Sequence, residues 1–126
     1  MSTKAKNFEQ LKRMIRDQLA HGKELGATRQ WLTMYTGAND RTVRLAIEDL
    51  RSDGWLICND QDGEGYYLAL EDQEILRQYR RDCARAMSIL KRLKAFRMAA
   101  REIEQQTENK DQVTIEEILM LMEGKI

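Results

Sequence analysis

The sequence predicts a mainly α-helical protein with one small β-hairpin, followed by a long C-terminal helix. Three observations carry that expectation. Apolar residues recur at helical spacing through most of the chain. Two short runs rich in strand-forming residues flank a single cluster of turn residues. No proline interrupts the 126 residues, which favours long unbroken helices and denies the chain a rigid linker. A chain of this size builds one core with appendages, divided here as residues 1–70, 71–106 and 107–126.

Taken in order, Phe8, Leu11, Ile15 and Leu19 mark one face of a first amphipathic helix from about Asn7 to His21, ended by Gly22. His21 to Ala27 is expected as a loop. Thr28 then caps a short second helix whose inward positions are Trp31, Leu32 and Tyr35, and Gly37 breaks it. Asn39 is a good N-cap for a third helix, able to accept from the N–H of Arg41 or Thr42, and Gly54 suits the left-handed residue that ends it. On this third helix Val43, Ala46, Ile47 and Leu50 share one stripe, while Arg41, Leu45, Glu48 and Ser52 point the opposite way with Arg44 on the flank. One face packs, and the other is left for a partner.

Trp55 to Asn59 and Tyr66 to Leu70 are the expected strands, joined through the turn residues 60–65. From Glu71 to Gln106 a single helix is expected, roughly 50 Å long. Leu76, Tyr79, Cys83, Ala86, Leu90 and Leu93 alternate steps of three and four along it, as a coiled-coil seam does. Phe96, Ala100 and Ile103 continue the stripe with a slip of register near Phe96. Residues 107–112 form a polar break, after which Thr114 and Glu117 have capping-box spacing for a last helix containing the apolar run Ile118 to Met122.

The net charge of zero hides four blocks. Residues 1–53 carry ten basic and seven acidic groups, and 54–76 carry six acidic groups alone. Residues 77–101 carry nine basic and one acidic, whereas 102–126 carry two and seven. A polyanion is drawn to the first and third blocks and repelled by the others. Cys58 and Cys83 lack metal-ligand spacing and, with His21 alone, build no zinc site, so they are expected as small apolar side chains in a reducing compartment. No nucleophile, base and orienting group stand at interpretable spacing, and Gly63-Glu64-Gly65 lacks the lysine and helix of a phosphate loop, so no enzyme is expected. No apolar run is long enough to cross a bilayer, and residues 1–7 lack the apolar centre of a signal peptide. A cytoplasmic location is expected.

Thr28 to Leu70 resembles the winged helix-turn-helix of bacterial regulators. The likeness is to the GntR-type style, in which the recognition helix runs T-V-R-x-A-[IL]-x-x-L and is followed by a glycine and an apolar residue. Those positions are Thr42, Val43, Arg44, Ala46, Ile47, Leu50, Gly54 and Trp55. The hairpin running into an arginine-rich helix resembles, more loosely, small prophage-encoded winged-helix proteins. The resemblance implies sequence-specific binding of duplex DNA by a regulator of phage or prophage type. It places Asn39, Arg41, Thr42 and Arg44 where phosphates and base edges are met, with Leu45 and Glu48 on the groove face and Arg29 and Gln30 near the backbone. Arginine suits guanine, because its fork donates to O6 and N7 together, and leucine suits a thymine methyl.

The chain departs from that style at Asp40, where arginine is common, and in the acidic residues Asp60, Asp62 and Glu64 at the wing tip, which phosphate repels. An adaptor using the same fold for protein contact, within a replication or phage assembly, is the alternative. The nine basic residues from Arg77 to Arg101 either follow a DNA backbone or form a solvated face against the acidic C-terminal segment. The stripe beneath them either pairs with a second copy, as a homodimer through residues 71–106, or folds back. No cofactor and no small-molecule ligand is expected.

Overall fold

The computed structural model describes residues 4–60, 65–106 and 115–123. Six α-helices and one two-stranded antiparallel hairpin make up the regular structure of the described residues. They fall into two units, Met1–Gln78 and Tyr79–Ile126.

Helix α1 (Phe8–Gln18) starts where Asn7 Oδ1 accepts from the Gln10 N–H at 2.8 Å. Leu11, Ile15 and Leu19 are buried, and Phe8 stays largely exposed at the helix start. The helix stops three residues before the expected His21. Leu19 is extended, and the next residues join the hairpin: Leu68 N–H donates to Ala20 O at 2.8 Å and Gly22 N–H to Leu68 O at 2.9 Å. A sheet edge supplies better partners for this backbone than another helical turn would. The expected loop therefore has structure. After the 3-10 turn Lys23–Leu25, Ala27 exchanges two backbone hydrogen bonds with Tyr66, at 2.8 and 2.7 Å.

Helix α2 (Arg29–Thr36) is capped by Thr28 Oγ1, which accepts from the Trp31 N–H at 3.0 Å, and ends at Gly37 in the left-handed conformation. Two turns present one narrow inward face, and Leu32 and Thr36 occupy it. Trp31 is not an inward residue: it is 46 % exposed and stacks on Tyr35 with ring centroids 5.8 Å apart.

Helix α3 (Asp40–Ser52) is the centre of the first unit, with α1 and α2 both packed on it. Asn39 Oδ1 accepts from the Thr42 N–H and the Thr42 hydroxyl, each at 2.8 Å. Its far end closes by a Schellman motif in which Gly54 N–H donates to Arg51 O and Trp55 N–H to Leu50 O. Using Trp55 this way shortens the first strand. β1 (Ile57–Asn59) pairs antiparallel with β2 (Tyr66–Leu68), with Cys58 opposite Tyr67. Gln61 to Glu64, which include the acidic Asp62 and Glu64, lie outside the described residues.

Helix α4 (Asp72–Arg92) is followed by α5 (Lys94–Gln106), so the single helix expected from Glu71 to Gln106 is interrupted at Leu93. The Leu93 N–H is shared between Ile89 O and Leu90 O, both at 3.2 Å, a local tightening without glycine or proline. The interruption comes three residues before the expected slip at Phe96. Helix α6 (Ile115–Met122) covers the apolar run; the polar break at 107–112 and the capping residue Thr114 lie outside the described residues. Among the described residues no helix is long and apolar enough to cross a membrane.

Candidate nucleic-acid interface

The outward side of α3 is held from behind. Val43, Ala46, Ile47 and Leu50 are at most 2 % exposed, and each large side chain so buried stabilises the helix position by about 1.5–3 kcal/mol. Charged groups fix it further. Lys12 of α1, itself buried, reaches Asp49 and Asp53 with Nζ 2.7 Å from each carboxylate. Those hydrogen bonds to Asp49 and then Asp53 outweigh desolvation and hold the lysine above its ordinary range. Arg51 donates from Nε to Ile57 O at 2.9 Å and from an Nη to Asn59 Oδ1 at 2.8 Å, tying α3 to β1. Arg16 lies over the Trp55 ring, 5.2 Å from its centroid.

With its back fixed, α3 presents Arg41, Arg44, Leu45 and Glu48 at i, i+3, i+4 and i+7, all exposed. Thr42 is half-buried beside them. The expected roles of Asn39 and Thr42 are narrowed by the cap, which uses the Asn39 carboxamide oxygen together with the Thr42 N–H and hydroxyl hydrogen. What remains for an anion is the Asn39 Nδ2 group. On α2, Arg29 and Gln30 are exposed at the N-terminal end.

Arg29 and Arg44 are brought together by Asp40, the residue that departs from the GntR-type style. Asp40 Oδ1 lies 3.1 Å from Arg29 Nε, and its Oδ2 lies 3.4 Å from Arg44 Nε. One carboxylate thus bridges the start of α2 and the first turn of α3. The Arg44 half of this bridge has a sequence signal, since the two residues stand four apart on one helix; the Arg29 half has none.

At the hairpin, Asp60 belongs to the base and not to the tip. It accepts from the Tyr67 hydroxyl at 2.9 Å and pairs with Lys23 at 3.0 Å. Burial alone would raise its pKa, but the bonds from Lys23 and Tyr67 and the nearby Arg77 together hold it below the usual carboxylate range. For Tyr67, burial first and the Asp60 hydrogen bond second push the phenol up to about 12. Asp60 is therefore engaged within the fold and does not set the charge of the tip.

In the arginine-rich block, Arg77, Arg80, Arg85, Lys91, Arg92, Lys94 and Arg101 are exposed, and Arg81 and Arg97 are half-buried. The apolar stripe of the same helices is uneven: Cys83, Ala86, Leu90 and Ala100 are half-buried, whereas Leu76, Tyr79, Leu93, Phe96 and Ile103 are exposed. The Cys58 thiol is buried and the Cys83 thiol half-buried, neither in a disulfide. Among the described residues no group of three or more His, Cys, Asp or Glu is placed to hold a metal ion. An open depression of about 250 Å3 beside Arg13, Arg16, Asp53 and Trp55 lies on the α1 side of α3. No protein family, curated protein or solved structure matches the chain.

Proposed function

We propose that the chain is a winged helix-turn-helix protein that binds duplex DNA by laying α3 in the major groove. The observation that carries this reading is the division of α3 into a fully covered Val43-Ala46-Ile47-Leu50 stripe and an exposed Arg41-Arg44-Leu45-Glu48 stripe. A groove reader needs both: rigid placement from behind and unobstructed side chains in front. Arg41 and Arg44 carry base-edge recognition, Arg29, Gln30 and Asn39 meet the backbone, Leu45 meets a thymine methyl, and Glu48 accepts from a cytosine amine. The protein acts as a transcriptional regulator of phage or prophage type in the cytoplasm. The exposed stripe of residues 71–106 pairs two copies, so that two α3 helices address paired half-sites.

Duplex binding measured across salt concentrations tests this. Affinity should fall linearly on a log–log plot; Arg41→Ala with Arg44→Ala should weaken a cognate site by roughly 1–3 kcal/mol per base pair read and, on random duplex, where these arginines meet phosphate instead, lower the slope by about 2, near 0.9 per lost phosphate contact. Binding that ignores both salt and the double substitution overturns the reading.

The adaptor reading is favoured by one observation, the exposed apolar side chains Trp31, Met34 and Leu45 on α2 and α3. An adaptor retains its partner after Arg41→Ala and Arg44→Ala and loses it after Trp31→Ala.

A further inference from the structure

Two arginines of the groove-facing side are already paired to a carboxylate. Both oxygens of Asp40 are engaged, one with Arg29 at 3.1 Å and the other with Arg44 at 3.4 Å. All three side chains face water, at 49 % exposure for Arg29 and Asp40 and 53 % for Arg44. Ion pairs this open exchange partners readily, so a phosphate can draw either arginine away. Doing so leaves the charge of Asp40 facing that same phosphate. The exposed set Arg29, Asp40, Arg41, Arg44 and Glu48 holds three cations and two anions, barely positive for a surface meeting a polyanion.

We propose that Asp40 is a specificity-determining residue: by neutralising Arg29 and Arg44 it suppresses binding to DNA of arbitrary sequence. The inference rests on the duplex-binding reading and deepens it. Sequence-independent affinity consists of phosphate neutralisation, so one added negative charge acts on it directly. Base-edge hydrogen bonds depend on donor geometry, and Arg44 gains a second attachment only where a guanine offers O6 and N7 together. Asp40 holds Arg44 through Nε and leaves its Nη groups for O6 and N7, so its penalty falls on phosphate contacts and less on a cognate guanine. Its place in the first turn of α3, where a negative charge also suits the helix dipole, lets one residue serve both ends.

The test uses the full chain and random-sequence duplex over a salt series. Asp40→Asn should bind about eightfold more tightly than wild type near 0.1 M salt, steepen the slope by about 0.9, and lose the advantage as salt approaches about 1 M. Adding Arg29→Ala or Arg44→Ala to Asp40→Asn should cancel the gain. Asp17→Asn, which removes an exposed charge from α1, should give little of it. Circular dichroism verifies folding, and Asp40→Ser carries the test should Asp40→Asn unfold. Wild-type binding that is salt-sensitive but unchanged or weakened by Asp40→Asn overturns the role of Asp40 and leaves duplex binding standing. An equal gain from Asp17→Asn overturns it as well, by reducing it to net charge. If neither wild type nor Asp40→Asn binds with any salt dependence, the duplex reading falls and this inference with it.

Discussion

On α3, Val43, Ala46, Ile47 and Leu50 are at most 2 % exposed, whereas on α4 and α5 Tyr79, Phe96 and Ile103 are 58, 74 and 61 % exposed. Both regions carry an apolar stripe at helical spacing beside a row of arginines, and in sequence they look alike. The difference lies in what the preceding chain supplies. For α3, two helices within the first forty residues pack directly on the stripe, and Lys12 adds a charged clamp from the same side. A periodic pattern states that a face is apolar; it does not state what meets it.

The largest effect that probes this contrast is a truncation in each stripe. Ile47→Ala should cost about 2–5 kcal/mol in a urea titration, because it opens a cavity among side chains with no room to relax. Ile103→Ala should change the unfolding free energy by less than about 0.5 kcal/mol under conditions where the protein is monomeric. If residues 71–106 pair with a second copy, the same variant shifts light scattering toward the monomer at concentrations where wild type is associated. Equal losses at the two positions would erase the distinction between a covered stripe and an open one.

Next in size is Gly65→Ala. Gly65 has φ +117°, and a Cβ there would stand 2.7 Å from the backbone carbon of Ala27 and 2.8 Å from its oxygen. Backbone cannot give way as a flexible side chain does, so a penalty of about 1–3 kcal/mol is expected. The cost falls on the Ala27–Tyr66 bridge and the hairpin behind α3. Hydrogen exchange should show faster amides in α3 and unchanged amides in α5. Loss of protection in α5 as well would show that the two regions share one cooperative unit.

Local chemistry explains which features were readable. Thr28, Asn39 and Gly54 act within a few residues of themselves, so capping rules placed α2 and α3, and helical spacing identified the α3 core. What escaped depends on distant partners. Helical spacing sets Lys12 beside the Phe8-Leu11-Ile15 stripe and Arg13 off it, but only folding brings Asp49 and Asp53 to Lys12. Ala20 to Gly22 abandon the helix because Leu68, nearly fifty residues on, offers a sheet edge. The apolar character of Trp31 argues for an inward position, but Leu32 and Thr36 fill the one inward face that two turns provide. Within the candidate interface, the exposure of Arg41 and Arg44 followed from the α3 pattern. The bridge from Asp40 to Arg29 crosses between helices and leaves no periodic trace.

The smallest predicted effect lies where the covered region hands over to the open one. Glu74 is buried at the start of α4, and its Oε1 accepts from the Leu70 and Glu71 N–H groups at 2.8 and 2.9 Å, the reciprocal half of a capping box. One helical turn on, Gln78 Oε1 accepts from the Asn59 N–H at 3.0 Å, between the exposed stripe residues Leu76 and Tyr79. The backbone bonds from Glu71 and Leu70 hold the Glu74 carboxyl below its usual range despite the opposing effect of burial. With the folded pKa lower than the unfolded one, the unfolded chain takes up the proton first as pH drops. The contribution of Glu74 is then complete above about pH 4.3 and is lost as pH falls from there through the folded value. Asp60 acts in the same sense through Lys23 and Tyr67, so part of the acid limb persists without Glu74. Glu74→Gln, which keeps an acceptor, should cost less than about 1 kcal/mol at neutral pH and make stability fall less steeply in acid. Urea titrations at several pH values check this. An acid limb indifferent to Glu74→Gln would mean that the cap does not anchor α4.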